Sequence, residues 1–163
     1  MNRTRLIVFT LALVVFSSAL SKPVSGQNGY PPDSIVTTFD ILPGDPLGAC
    51  IFPINISAVG KSKAIVQKNG NLIVTSPNLN ATVTNLNNTS KHVSFNITGV
   101  FHVTDSNGKI LNTVTGRNLL TDPIAGVVLA IGNFSFAFDE DGNLVQPLTK
   151  QGGTLIDVCA LLS

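Results

Sequence analysis

Four features of the chain invite a chemical reading: Val59-Gly60-Lys61-Ser62, Asp139-Glu140-Asp141-Gly142-Asn143, the histidines His92 and His102, and the cysteines Cys50 and Cys159. The first ends as a phosphate-binding loop ends. Such a loop also needs a glycine five residues before its second one, where this chain has Asn55, and a strand–loop–helix setting. Nucleotide binding is therefore not expected. The second places oxygen ligands at alternate positions, as a calcium loop does. The loop positions that require Gly and Glu hold Leu144 and Lys150, so it reads as an acidic hairpin turn and no metal is expected. His92 and His102 fall on one parity of an alternating stretch. Ten residues at ~3.3 Å per residue place them about 33 Å apart along an unbroken strand, too far to share a metal or a catalytic centre.

No Gly-x-Ser-x-Gly elbow, His-Glu-x-x-His helix or Cys-x-x-Cys pair occurs in the chain. No catalytic residue and no cofactor is assigned. Among the carboxylates, Asp122 and Asp157 stand out. Asp157 shares parity with Leu155, Cys159 and Leu161, which would draw it inward, and a buried carboxylate needs a partner. Arg117 is the one arginine beyond the N-terminal segment. A structural ion pair of Arg117 with Asp157 or Asp122 is the resulting expectation. Six asparagines, Asn55, Asn80, Asn87, Asn88, Asn96 and Asn133, begin Asn-x-Ser/Thr triplets and are N-glycosylation acceptors if the chain follows a eukaryotic secretory route. Asn and Thr are abundant enough that some triplets arise by composition alone.

The N-terminus explains the cysteines. Arg3 and Arg5 precede an eleven-residue apolar run, Leu6 to Phe16, and small residues at Ala19-x-Ser21 or Val24-x-Gly26 suit signal peptidase. Residues 1–26 read as a signal peptide, and the run is shorter than the 18 or so residues that cross a bilayer. In an exported chain two cysteines are most simply one disulfide. Cys50–Cys159 would close a loop of about 110 residues, for which chain entropy gives ~4–5 kcal/mol. Beyond the signal, seven basic residues face nine acidic ones, a net charge of −2. With no Lys/Arg cluster, the chain has no electrostatic footprint for nucleic acid.

Charged residues make up 12% of the sequence, about half the usual ~25%. Asn, Thr, Ser and Gly must supply the polar surface, and these suit turns and the wet faces of strands. Residues 27–48 are rich in Gly, Pro and Asp and read as an irregular lead-in, with one short strand at Ile35–Phe39. Residues 49–163 form a single domain. Cys50, Phe52, Ile54 and Ile56 alternate with polar residues, and Pro53 points to an edge strand or a bulge there. Lys68-Asn69-Gly70-Asn71 between two β-rich runs predicts a hairpin. Val93, Phe95, Ile97, Phe101 and Val103 share one parity of a thirteen-residue strand in which Gly99 marks a bend. Gly116 to Pro123 reads as a loop. Val127 to Ile131 is apolar on both parities and predicts a central strand covered on both faces. Leu155 to Cys159 reads as the closing strand. Eight to ten short strands with Asn/Gly turns give an all-β domain, an antiparallel β-sandwich or a partly open β-barrel.

Thr115-Gly116-Arg117-Asn118-Leu119-Leu120-Thr121-Asp122-Pro123, Gly126 to Gly132, and Ile156-Asp157-Val158-Cys159-Ala160 together resemble a group of small exported proteins frequent among soil actinobacteria. Those proteins also carry an early Cys, a GRN-L segment after an Asn/Gly hairpin, and a DVCA close. The resemblance covers residues 48 to 162. It implies export and an all-β domain, and no chemistry.

The function expected from these features is a secreted, non-catalytic β-module, a binding, surface or matrix protein that meets its partner through an uncharged Asn/Thr face. The alternative is a small extracellular enzyme, or a carrier of an apolar ligand, built around a barrel cavity. Carbohydrate binding on aromatic platforms is disfavoured, because the chain has no Trp and its lone Tyr30 lies in the lead-in. The Phe residues beyond the signal read as core, notably Phe95, Phe101, Phe134, Phe136 and Phe138.

Overall fold

A computed structural model describes residues 31–45, 50–106 and 108–163. The signal peptide read over residues 1–26 lies outside the described residues. Nine strands follow in order: β1 (Asp33–Ile41), β2 (Ile54–Val66), β3 (Leu72–Thr75), β4 (Asn80–Asn85), β5 (His92–Asn96), β6 (Gly99–Ser106), β7 (Lys109–Asp122), β8 (Gly126–Asp139) and β9 (Leu144–Asp157). A four-residue helix, α1 (Val158–Leu161), ends the fold. All pairings are antiparallel, and the sheet runs β5-β4-β2-β3-β6-β7-β8-β9 with β1 on the other side of β2. The path does not close into a barrel.

The topology is a meander whose long strands are broken midway. β3 and β4 both pair with β2, at Lys63–Val66 and Ile54–Val59, so they form one bent ribbon. β5 and β6 form the next, β5 on β4 and β6 on β3. The break falls at Ile97 and Thr98, just before the bend expected at Gly99. There the chain forks. Ile97 N donates to the Leu79 carbonyl, while the Thr98 carbonyl accepts from Arg117 N of β7. Beyond this fork β7 has no bond to β5. The layer of β1, β2, β4 and β5 therefore separates and packs over the ends of β7, β8 and β9.

Two cores result. The first gathers Ile41, Ile54, Ile56, Ala81 and Val83 with Leu119, Val127, Leu129, Val158 and Leu162. The second holds Val74, Phe101, Val114, Leu120, Val128, Ala130, Phe134 and Phe136. β8 serves both: Val127 and Leu129 enter one core, and Val128 and Ala130 the other. This is the two-sided strand that its unbroken apolar run demands. Phe136 meets Phe101 and Phe138 edge to face at centroid distances of 6.1 and 5.8 Å.

The bend is built on glycine. Gly99, Gly116, Gly132 and Gly153 stand opposite one another across β6, β7, β8 and β9. At Gly132 (φ 126°) and Gly153 (φ 131°) the backbones touch: a Cβ on Gly132 would strike the Gly152 carbonyl and lie 2.6 Å from the Gly153 Cα.

Five segments differ from their sequence reading. The first is the thirteen-residue strand expected over 92–104, which is two strands, β5 and β6, in different layers because the chain forks at Ile97 and Thr98. The lead-in carries a nine-residue strand, because Ile35, Thr37, Phe39 and Ile41 alternate well enough to cover one flank of β2. β2 is consequently internal, and Pro53 sits just before its first residue, where a missing N–H costs no ladder bond. Gly116 to Asp122 is strand, since Gly116 (φ 84°) bends β7 while its register with β8 continues unbroken from Thr115–Asn133 to Arg117–Ile131. Leu144 to Asp157 is one long strand with register shifts, and the chain turns helical at Val158 because Asp157 caps it.

The adjacent Gly152 and Gly153 give a matched test. Gly152 has open space where a Cβ would go, whereas a Cβ on Gly153 would run into the Ile131 carbonyl and lie 2.8 Å from the Gly132 Cα. Thermal unfolding should show Gly153→Ala destabilised by at least about 2 kcal/mol and Gly152→Ala within about 0.5 kcal/mol of the parent.

Candidate functional site

The strands of the separated layer point alternate side chains outward, and those residues are almost all small and polar. One row across the layer is Thr38–Ser57–Thr82–Ser94. The next row on one side is Asp40–Asn55–Thr84–His92, and on the other Val36–Val59–Asn80–Asn96. Neighbouring strands lie ~4.8 Å apart and same-face residues ~6.7 Å apart along each strand. The face is thus a grid of hydroxyls and amides.

Hydrogen bonds within the grid hold its side chains in place. Thr82 Oγ1 and Ser94 Oγ share a bond of 2.8 Å. Asn55 Nδ2 donates to Asp40 Oδ1 at 2.7 Å and to Thr38 Oγ1 at 3.0 Å. Asn96 Nδ2 reaches Asn80 Oδ1 at 3.4 Å. Asp40 is the full charge on these three rows, Lys61 stands in the next row opposite Ser34, and His92 lies at the β5 edge.

A cavity of about 40 Å³ lies where the two cores meet, lined in part by Thr37, Ser62, Ser76, Phe101 and Asn118. Ligand sites for small molecules usually enclose roughly 300–1,000 Å³. This one is of a size for a few waters.

The structure separates most of the residues singled out in the sequence. Cys50 and Cys159 form the disulfide, with Cα atoms 5.3 Å apart. The expected ion pair does not form. Asp122 is buried, but its Oδ1 accepts from Ile124 N at 2.8 Å and Ala125 N at 2.7 Å and closes the β7–β8 turn. Asp157 is exposed and accepts from Ala160 N at 3.0 Å as the cap of α1. Arg117 is exposed and pairs across the sheet with Ile131, an odd number of positions from the rows of Asp122 and Asp157, and so faces the opposite side. His92 and His102 belong to different strands and different layers. Among the described residues no group of three His, Cys, Asp or Glu is placed to hold a metal.

The sequons divide by position. Asn55, Asn80 and Asn96 stand on the polar grid, and the Asn55 amide is engaged there. Asn87 and Asn88 occupy the exposed β4–β5 turn, held by Asn85 Oδ1, which accepts from both backbone amides. Asn133 is exposed on β8 beside the glycine seam. Sequence reasoning named the polar face only by composition. The strand register gathers these residues onto one face, with β1 supplying its outer column.

The acidic turn is organised by Asp139. Its carboxylate accepts from Asn143 Nδ2 at 2.9 Å, Asn143 N at 2.8 Å and Asp141 N at 3.0 Å. These bonds, chiefly the Asn143 side chain, lower its pKa below the ordinary 3.8.

Comparison with known proteins finds no matching family model, curated protein or solved structure. Among the described residues no helix is long and apolar enough to cross a membrane.

Two outcomes test these assignments. Because the Asp139 pKa is depressed on folding, its support of the β8–β9 turn is complete above pH 3.8 and fades as pH falls through the lower folded value. The protection of the Asn143 amide, its exchange rate relative to the intrinsic rate at each pH, should therefore fall as pH drops through that range, and Asp139→Asn should abolish this loss of protection. Arg117→Met should leave the melting temperature unchanged to within about 1 °C, because the bond at the fork is made by the Arg117 backbone and the side chain is exposed.

Proposed function

We propose that this protein is a secreted, non-catalytic β-module whose hydroxyl and amide grid binds an extended, uncharged polysaccharide. The observation that carries the reading is the four-strand grid of Thr, Ser and Asn, nearly free of full charge and ordered by its own hydrogen bonds. Such groups both donate and accept, which matches the hydroxyls and acetamides of a neutral sugar polymer. Each hydrogen bond exchanged against water contributes only about 0.5–1.5 kcal/mol. With no aromatic platform, affinity must come from repetition, and a regular polymer engages many rows at once. The small interior cavity favours this surface reading over ligand carriage. The apolar leader and the disulfide agree with export, as does the resemblance to exported actinobacterial proteins.

Depletion of the protein from solution by cellulose or chitin particles provides the test. The parent protein should be depleted, and Thr82→Lys, which puts a long cation at the centre of the grid, should weaken binding at least tenfold. Thr154→Lys, on exposed β9, should bind as the parent does. Parent protein that stays in the supernatant with both polymers, or Thr82→Lys that binds undiminished, overturns the reading.

A further inference from the structure

The edge of the polar layer points to a partner. β1 pairs with β2 and, among the described residues, with nothing on its other side. Edge strands are usually guarded by shortness, proline, lysine or bulges. The other ends of the sheet follow that rule: β5 has five residues, and β9 carries Pro147, Lys150 and three register shifts. β1 runs nine residues, Asp33 to Ile41, without proline, lysine or bulge. Its Val36 is 81% exposed and lies beside Val59, 54% exposed, on a face that is otherwise polar.

We propose that β1 pairs antiparallel with β1 of a second copy of this chain, about a two-fold axis at Thr37. That register engages all nine residues. On the inner face it sets Ile35 opposite the partner's Phe39, and Phe39 opposite the partner's Ile35. Both side chains are partly buried against the first core in one copy, and aromatic–β-branched pairs are among the favourable cross-strand contacts. On the outer face Val36 meets the partner's Thr38 and lies diagonal to the partner's Val36. Ser34 faces the partner's Asp40, a donor opposite an acceptor.

The neighbouring register argues for the same choice. A one-residue slip sets Asp33 opposite the partner's Asp40, a like-charge pair, and turns the apolar face of one copy to the polar side of the other. The symmetric arrangement makes one eight-stranded layer with the hydroxyl grid continued across the axis. It stands independently of the polysaccharide reading.

Sedimentation of the purified protein over a wide concentration range, with oxidative cross-linking of single-cysteine additions, tests it. The parent should sediment as a dimer, and Val36→Lys should raise the dissociation midpoint at least tenfold with an unchanged circular dichroism spectrum. Thr37→Cys lies on the axis and should cross-link into a covalent dimer. Asp33→Cys, about 26 Å from its symmetry mate at ~3.3 Å per residue, should not. A parent that remains monomeric at millimolar concentration sinks the proposal. So does a dimer that tolerates Val36→Lys and fails to cross-link through Thr37→Cys, since another surface would then hold it.

Discussion

The close approach of backbones at Gly132 and Gly153 is the constraint on which the architecture rests. Strands β7, β8 and β9 each run fourteen residues, about 46 Å if straight at ~3.3 Å per residue. A flat ribbon of that length would leave Val127 and Leu129 on an uncovered face. Bending all the strands on one line of glycines lets a single meander supply both layers of the sandwich. The line need not be specified by long-range contacts, because the register of successive hairpins brings Gly99, Gly116, Gly132 and Gly153 together. Once the bend forms, the fork at Thr98 follows: β6 stays with β7 while β5 continues with β4.

Much of this was legible in the chain. The both-parity run from Val127 to Ile131 announced a strand with two buried faces, and that is how β8 sits between the cores. Asn69-Gly70 marked the β2–β3 hairpin, and Gly99 marked the bend. Misreadings clustered where glycine or proline stands inside a strand. Gly116 looks like a terminator in one dimension because periodicity does not distinguish a bend within a strand from a turn. β1 was undervalued for a similar reason, with Pro31-Pro32 and Pro43-Gly44 flanking it closely. Asp157 illustrates a different limit. Its parity pointed inward on the strength of Leu155, but Leu155 is itself exposed on that face of β9, and it is Ile156, on the other parity, that packs against the first core. The polar grid lay beyond sequence reasoning altogether. It depends on which strands are neighbours, and no one-dimensional period carries that.

The absent ion pair is part of a broader economy of charge. Asp122, Asp139 and Asp157 each turn their carboxylates onto backbone amides at a turn or a helix start. Asn85, buried, does the same for the β4–β5 turn and donates its own amide to the Leu162 carbonyl. Among the described residues no buried side-chain polar atom lacks a partner. These three acids serve as local conformational devices, their carboxylates satisfied by backbone amides. That leaves the outward rows of the β1, β2, β4 and β5 layer to neutral side chains.

The disulfide completes the same logic from the other end. The layers diverge beside Gly60, Thr98 and Gly116, where chain connectivity holds them. Cys50 precedes β2 in one layer, and Cys159 follows β9 in the other. Their bond clasps the layers at the end away from the fork, beside Ile54 and Asn85. There Val158 and Leu162 of the terminal turn are fully buried in the first core. A sandwich tied at one end by its backbone and at the other by sulfur cannot open without breaking the core between them. The bridge therefore holds the layer that carries the outer grid against the ends of β7, β8 and β9.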